Sequence, residues 1–111
     1  MKLVAHLQEQ MTPVLQRIAA CVISATPETW SKATLRVEVH SGPNDTRSMR
    51  HVISSQQHPN EPCAATEELF ASTHELDSLC LQAGQPWTAL TVQVECVAES
   101  WNYTSDFEYG A

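Results

Sequence analysis

The chain has 111 residues, 42% of them apolar, and sets six Lys or Arg against thirteen Asp or Glu for a net charge of −7. That length suits a single domain over residues 1–111 that can fold without disulfide or metal staples, and the apolar fraction excludes disorder throughout. All six basic residues lie in the first fifty positions, while nine acids and no Lys or Arg follow from His51 onward. The second half is therefore unsuited to direct contact with nucleic-acid phosphates or anionic membranes, and a basic protein partner is the better fit.

Met1-Lys2-Leu3-Val4-Ala5 imitates the start of a secretory leader, but His6, Gln8, Glu9 and Gln10 break the apolar run, so a cytoplasmic location is expected. Residues 3–25 carry helical periodicity, with Leu3, Val4, Leu7, Met11, Val14, Leu15, Ile18, Cys21, Val22 and Ala25 on one face. Pro13 lies off that face. It predicts either a kink or a second helix capped by Thr12, and Thr26-Pro27 ends the element.

From Trp30 the period changes to two. Ala33, Leu35, Val37 and Val39 share one side of a half-buried strand, and Thr34, Arg36, Glu38 and His40 the other. Ser41-Gly42-Pro43-Asn44-Asp45 is a turn, followed by a strand over about Arg47 to Ser54. Pairing Val39 with Met49, Val37 with His51 and Leu35 with Ile53 keeps both apolar faces in register. The polar stretch from Ser54 to Pro62 reads as a loop. A second helix then follows the stripe Leu69, Thr73, Leu76, Cys80 and Ala83, with Gly84 at its C′ position and Pro86 blocking continuation. Leu90, Val92, Val94 and Cys96 alternate with polar residues in a third strand. A tight turn near Ala98-Glu99 leads into a fourth strand carrying Trp101, Tyr103, Phe107 and Tyr109. The order helix-strand-strand-helix-strand-strand implies an α+β fold, an antiparallel sheet packed against two helices.

Candidate chemistry is sparse. Cys21, Cys63, Cys80 and Cys96 stand singly at apolar positions and read as buried free thiols. His40 and His51 fall on opposite faces of their hairpin. His51, His58 and Glu61 approach one another through the loop, but their spacing matches no metal pattern. No nucleophile elbow, phosphate loop or zinc-protease motif is present, so neither a metal, a cofactor nor an enzymatic reaction is expected. Asp106 and Glu108 share a strand face with Glu95 on the neighbouring strand, suited to a solvated sheet surface, an anchor for arginine or an acid–base pair. Trp30, Trp87 and Trp101 each open a strand and are placed to close the core, with Trp101 also available to an interface.

Pro27-Glu28-x-Trp30-x-Lys32-x-x-Leu35 before a hairpin, a helix with Leu69 and Phe70, Gly84-x-x-Trp87-Thr88-x-Leu90, and a closing Phe107-x-Tyr109 resemble the YezG-like antitoxin family. The likeness runs from about Val14 to Gly110. The chain departs from the family in its long N-terminal helix extension, its polar Ser54 to Pro62 loop and an acidic finish without consecutive acids. The resemblance implies a bacterial immunity protein that neutralises a cognate secreted toxin, commonly a basic nuclease domain delivered by a secretion system, by occluding its active site. Glu95, Glu99, Trp101, Asp106 and Glu108 near the C-terminus, with Glu68 and Glu75 on the second helix, are then the expected contact residues. The rival readings are a secretion-system effector chaperone, which would show an exposed apolar groove and a dimer, and a small α+β enzyme, which would show a concave polar pocket.

Overall fold

A computed structural model of the protein describes residues 2–43, 46–61 and 63–109. The chain forms α1 (Lys2–Ala25), β1 (Lys32–Ser41), β2 (Arg47–Ser54), α2 (Glu67–Gln82), β3 (Ala89–Val97) and β4 (Ser100–Glu108), an α+β fold in the expected order. Asn44, Asp45, Pro62 and Gly110 lie outside the described residues, as do the side chains of Leu3, Val4 and His6.

Pro13 lies inside α1, which is one helix, so of the two alternatives the second helix is not formed. Proline removes one backbone donor and crowds the preceding turn. Here that happens on an exposed face, where water can satisfy the freed carbonyl. Thr12 does not cap a second helix. Its hydroxyl donates back to the Gln8 carbonyl at 2.8 Å, a bond that belongs inside a helix. The buried face carries Leu7, Met11, Val14, Leu15, Ile18 and Val22, the apolar stripe legible in the sequence.

The four strands form one antiparallel sheet in the order β2-β1-β3-β4. Leu35 pairs with Ile53, Val37 with His51 and Val39 with Met49, the register that apolar matching predicts. In the closing hairpin Leu90 faces Phe107, Val94 faces Tyr103 and Cys96 faces Trp101. The two hairpins meet along β1 and β3, where Leu35 lies beside Val92 and Ala33 beside Val94. One face of the sheet is thereby apolar and lies under the helices; the other faces solvent.

Helix α2 is held at both ends by local chemistry. The Thr66 hydroxyl accepts from the Leu69 amide at 3.2 Å, and Glu67 and Glu68 complement the positive end of the helix. At the other end Gly84 takes φ +71°, and the Gln85 and Gly84 amides donate to the Cys80 and Leu81 carbonyls at 2.8 and 3.0 Å. This double bond pattern closes the helix, and glycine adopts its left-handed conformation at little cost.

The apolar layer between helices and sheet contains one ion pair. Arg47 donates from Nε and Nη2 to the two carboxylate oxygens of Asp77, at 3.1 and 2.8 Å, and Nη2 also donates to the Trp87 carbonyl at 3.0 Å. The Asp77 side chain is only 8% exposed. One guanidinium thus joins β2, α2 and the segment entering β3. Removing either partner leaves the other charged and largely dry. Asp77→Ala should therefore cost about 3 kcal/mol, whereas Arg47→Leu with Asp77→Leu should recover most of that loss. Urea denaturation of the single and double variants measures both.

Candidate partner-binding surface

The β3–β4 turn puts Ala98 and Glu99 at its two central positions with φ of 51° and 67°. Both angles are left-handed, as the two-residue hairpin turn matching strand twist requires, and both residues carry a Cβ that this region disfavours. Glu99 therefore stands exposed at the hairpin tip on a strained backbone.

Strand alternation places Glu95, Asp106 and Glu108 on the solvent face of the sheet, as their spacing predicts. The strand order adds what the sequence did not reveal. β1 lies beside β3, so its cations enter the same face. Arg36 makes an ion pair with Glu108, donates to the Thr91 hydroxyl at 3.1 Å and approaches Glu38 at 4.0 Å. The hydrogen bond that Arg36 donates to Glu108 raises the Arg36 pKa still further. Lys32 sits 3.7 Å from Glu95. Lys32, Arg36 and Arg50 thus offset most of the charge of Glu38, Glu95, Asp106 and Glu108. The segregation of charge along the chain is undone in space.

A second acidic patch lies on the exposed side of α2. Glu75 is held by Arg17 of α1, while Glu67 and Glu68 rim a shallow depression of ≈ 400 Å³ together with Cys21 and Ser24. Among the described residues, Glu67, Glu68, Glu99 and Asp106 have no Lys or Arg within ion-pair distance. The contact residues expected from the sequence therefore divide between two places, the β3–β4 hairpin and the α2 edge.

Trp101 is half-buried and lines a ≈ 400 Å³ groove with Ile23, Pro27, Trp30 and Cys96. A separate groove along α1, ≈ 390 Å³, is lined by Leu7, Met11, Leu15, Ser105, Phe107 and Tyr109. The helix covers β3 but leaves the aromatic side of β4 partly open. The sequence held a signal for this: the closing strand carries three aromatics on its inward side, Trp101, Tyr103 and Phe107, with Tyr109 just beyond, and the core covers them only in part.

Trp30 and Trp87 are core residues. The Trp30 indole donates to Glu61 at 2.7 Å, and its ring stacks on His58 at 5.8 Å. This pins the β2–α2 loop to the end of the sheet. His51 turns away from that cluster toward α2, so only His58 meets Glu61, at 3.5 Å. Among the described residues, no three His, Cys, Asp or Glu side chains converge to hold a metal. Cys21 and Cys80 are buried, but Cys63 and Cys96 are only half-buried, which corrects the expectation of four buried thiols. Burial, then Asp77, pushes the Cys80 thiol up to about 11, keeping it protonated.

His51 is a half-buried titrating group. Its Nε2 lies 2.8 Å from the Thr73 hydroxyl, which itself donates to the Phe70 carbonyl at 3.0 Å. The hydroxyl can then only accept from Nε2–H, so the neutral ring carries its proton there and leaves Nδ1 without a partner. Burial, followed by nearby His74, lowers the His51 pKa below 6.5. The unfolded chain consequently takes up this proton first as pH falls. Stability should be undiminished above about pH 6.5 and decline below it, until the folded protein is protonated too. The urea midpoint of His51→Gln, which retains a donor near Thr73, should fall less than wild type between pH 7 and pH 5.5. Separately, Ala98→Asn with Glu99→Gly should raise stability by about 1 kcal/mol by relieving the turn.

Comparison of the sequence with known protein families gives no match, and comparison with curated proteins gives no relative.

Proposed function

We propose that this protein is an immunity protein that binds a cognate toxin through an acidic surface and blocks access to its active site. The observation that carries the reading is that Glu67, Glu68, Glu99 and Asp106 face solvent with no Lys or Arg at ion-pair distance among the described residues. A nuclease domain presents a basic groove for phosphates. Carboxylates held on rigid elements can enter that groove and raise the association rate by long-range attraction. Inhibition of this kind asks for no chemistry from the inhibitor. The resemblance to YezG-like antitoxins supports the same class of partner. Several residues that carry it, Trp30, Leu35, Leu69, Trp87 and Leu90, are buried, so they specify the scaffold and leave the contact surface free to vary.

One observation favours a second reading, an effector chaperone. The open apolar groove between α1 and β4 is the kind of surface that holds an unfolded client. The two readings differ in the state of the partner, folded for a toxin and extended for a client.

The test is co-expression with a basic toxin domain, to be sought in the reading frame adjacent to that of this chain. Growth should be restored and a complex recovered at low salt; no rescue and no complex would retire the immunity reading. Glu67→Lys, Glu68→Lys and Asp106→Lys break no ion pair among the described residues, and circular dichroism controls for the favourable charge that the first two lose at the start of α2. Together they should slow association about tenfold and flatten its salt dependence. Stopped-flow measurement against ionic strength checks this, and an unchanged rate would place the interface elsewhere.

A further inference from the structure

β4 is an edge strand of nine residues, Ser100–Glu108, with Thr104 at its centre. The two-residue turn makes Val97 and Ser100 the hydrogen-bonded closing pair. By alternation, Trp101, Tyr103, Ser105 and Phe107 then aim their N–H and C=O groups away from β3, at the open edge. Ser105 and Phe107 line the groove beside α1, Trp101 lines the depression near the other end of that helix, and Tyr103 is half-buried between them. Unpaired backbone and uncovered aromatic surface therefore coincide on one strand, the combination that invites another strand.

The order of residues on β4 says which strand. Laid antiparallel on itself about Thr104, β4 brings Trp101 beside Phe107 and Tyr103 beside Ser105 on the groove side. On the solvent side it brings Asn102 beside Asp106 and Ser100 beside Glu108. Each acid meets a hydrogen-bond donor, no like charges oppose one another, and the large aromatics pair. The other edge of the sheet lacks this property. β2 carries Arg50 near its middle, a charge of the kind that protects edges from pairing.

We infer that β4 pairs with β4 of a second copy of this chain about a two-fold axis at Thr104, joining the two sheets into one. The interface is isologous and closed. A strand pair alone buries less than the roughly 1,200 Å² of a stable interface, so the α1 flanks close over the groove from both sides. The inference goes beyond the proposed function and does not depend on it: the solvent face of the sheet and the α2 edge stay open in the dimer.

Analytical ultracentrifugation of the full chain should show a dimer. Ser105→Pro removes an N–H that faces the open edge, a place where a folded sheet tolerates proline. It should raise the dissociation constant at least about thirtyfold while circular dichroism stays that of the wild type. Thr104→Cys puts two thiols across the axis at a close, non-hydrogen-bonded pair, and mild oxidation should give a covalent dimer. Asn102→Cys alone should not cross-link, but mixed with Asp106→Cys it should. If the proline variant fails to fold, the cross-links decide, because Thr104 is exposed. A wild-type monomer at every concentration reached, a Thr104→Cys protein that cross-links no faster than wild type, or a dimer that folded Ser105→Pro leaves intact would each overturn the inference. So would a chain that stays monomeric and takes a strand of a different protein onto β4.

Discussion

A single guanidinium fixes how the layers of this protein meet. Arg47 projects from β2, grips both oxygens of Asp77 on α2, and reaches the carbonyl of Trp87 where the chain enters β3. Apolar packing between α2 and the sheet is nearly non-directional and tolerates small slides of the helix. A two-pronged, largely desolvated ion pair does not: it is satisfied at one position and one angle. The second polar contact on the same seam, His51 with Thr73, lies one turn back along α2 and shares that alignment. Together they tie α2 to β2, leaving α1 to cover β1 and β3.

That division of labour shapes the surface. With α2 committed to one side, α1 must span the other, and it reaches β3 but not the far side of β4. The open groove is thus a consequence of the polar seam. The strand order has an equally large effect on charge. Because β1 is interior and lies beside β3, Lys32 and Arg36 are delivered to Glu95 and Glu108. Among the described residues, the carboxylates left without a cation on β4, its hairpin and α2 are those at the hairpin tip, at Asp106 and at the start of α2.

Most of the fold was legible in the sequence, and the reasons are local. Alternation in β1 and β2 fixed the register through Leu35, Val37 and Val39, because a shift by one residue would turn those side chains to water. Gly84 and Pro86 marked the end of α2 through backbone geometry alone. The strand order was not legible, since alternation assigns faces and says nothing of neighbours, and the neutralisation of Glu95 and Glu108 was hidden for the same reason. Arg47 and Asp77 were not singled out, because charged residues seldom stand inside a core. Yet Arg47 shares the inward parity of Met49, His51 and Ile53, and Asp77 lies on the stripe between Thr73 and Cys80. Two opposite charges at inward positions of elements that pack together are a readable sign of a buried pair. Pro13 shows the opposite error. A residue that normally breaks helices was accommodated, because its crowded side faces solvent and the surrounding apolar stripe is strong.

The β1–β3 ladder has a consequence for how the chain reaches its native state. Each hairpin, β1–β2 and β3–β4, closes over a short turn, whereas Leu35 and Val92 must meet across an intervening loop, a helix and a second loop. Closing that long segment costs chain entropy before any contact repays it, so the two helix–hairpin halves form early and their junction is the slow step. Until that junction closes, β1 and β3 each expose a bare flank of Val and Leu, and this is when the chain is most prone to join a neighbour wrongly.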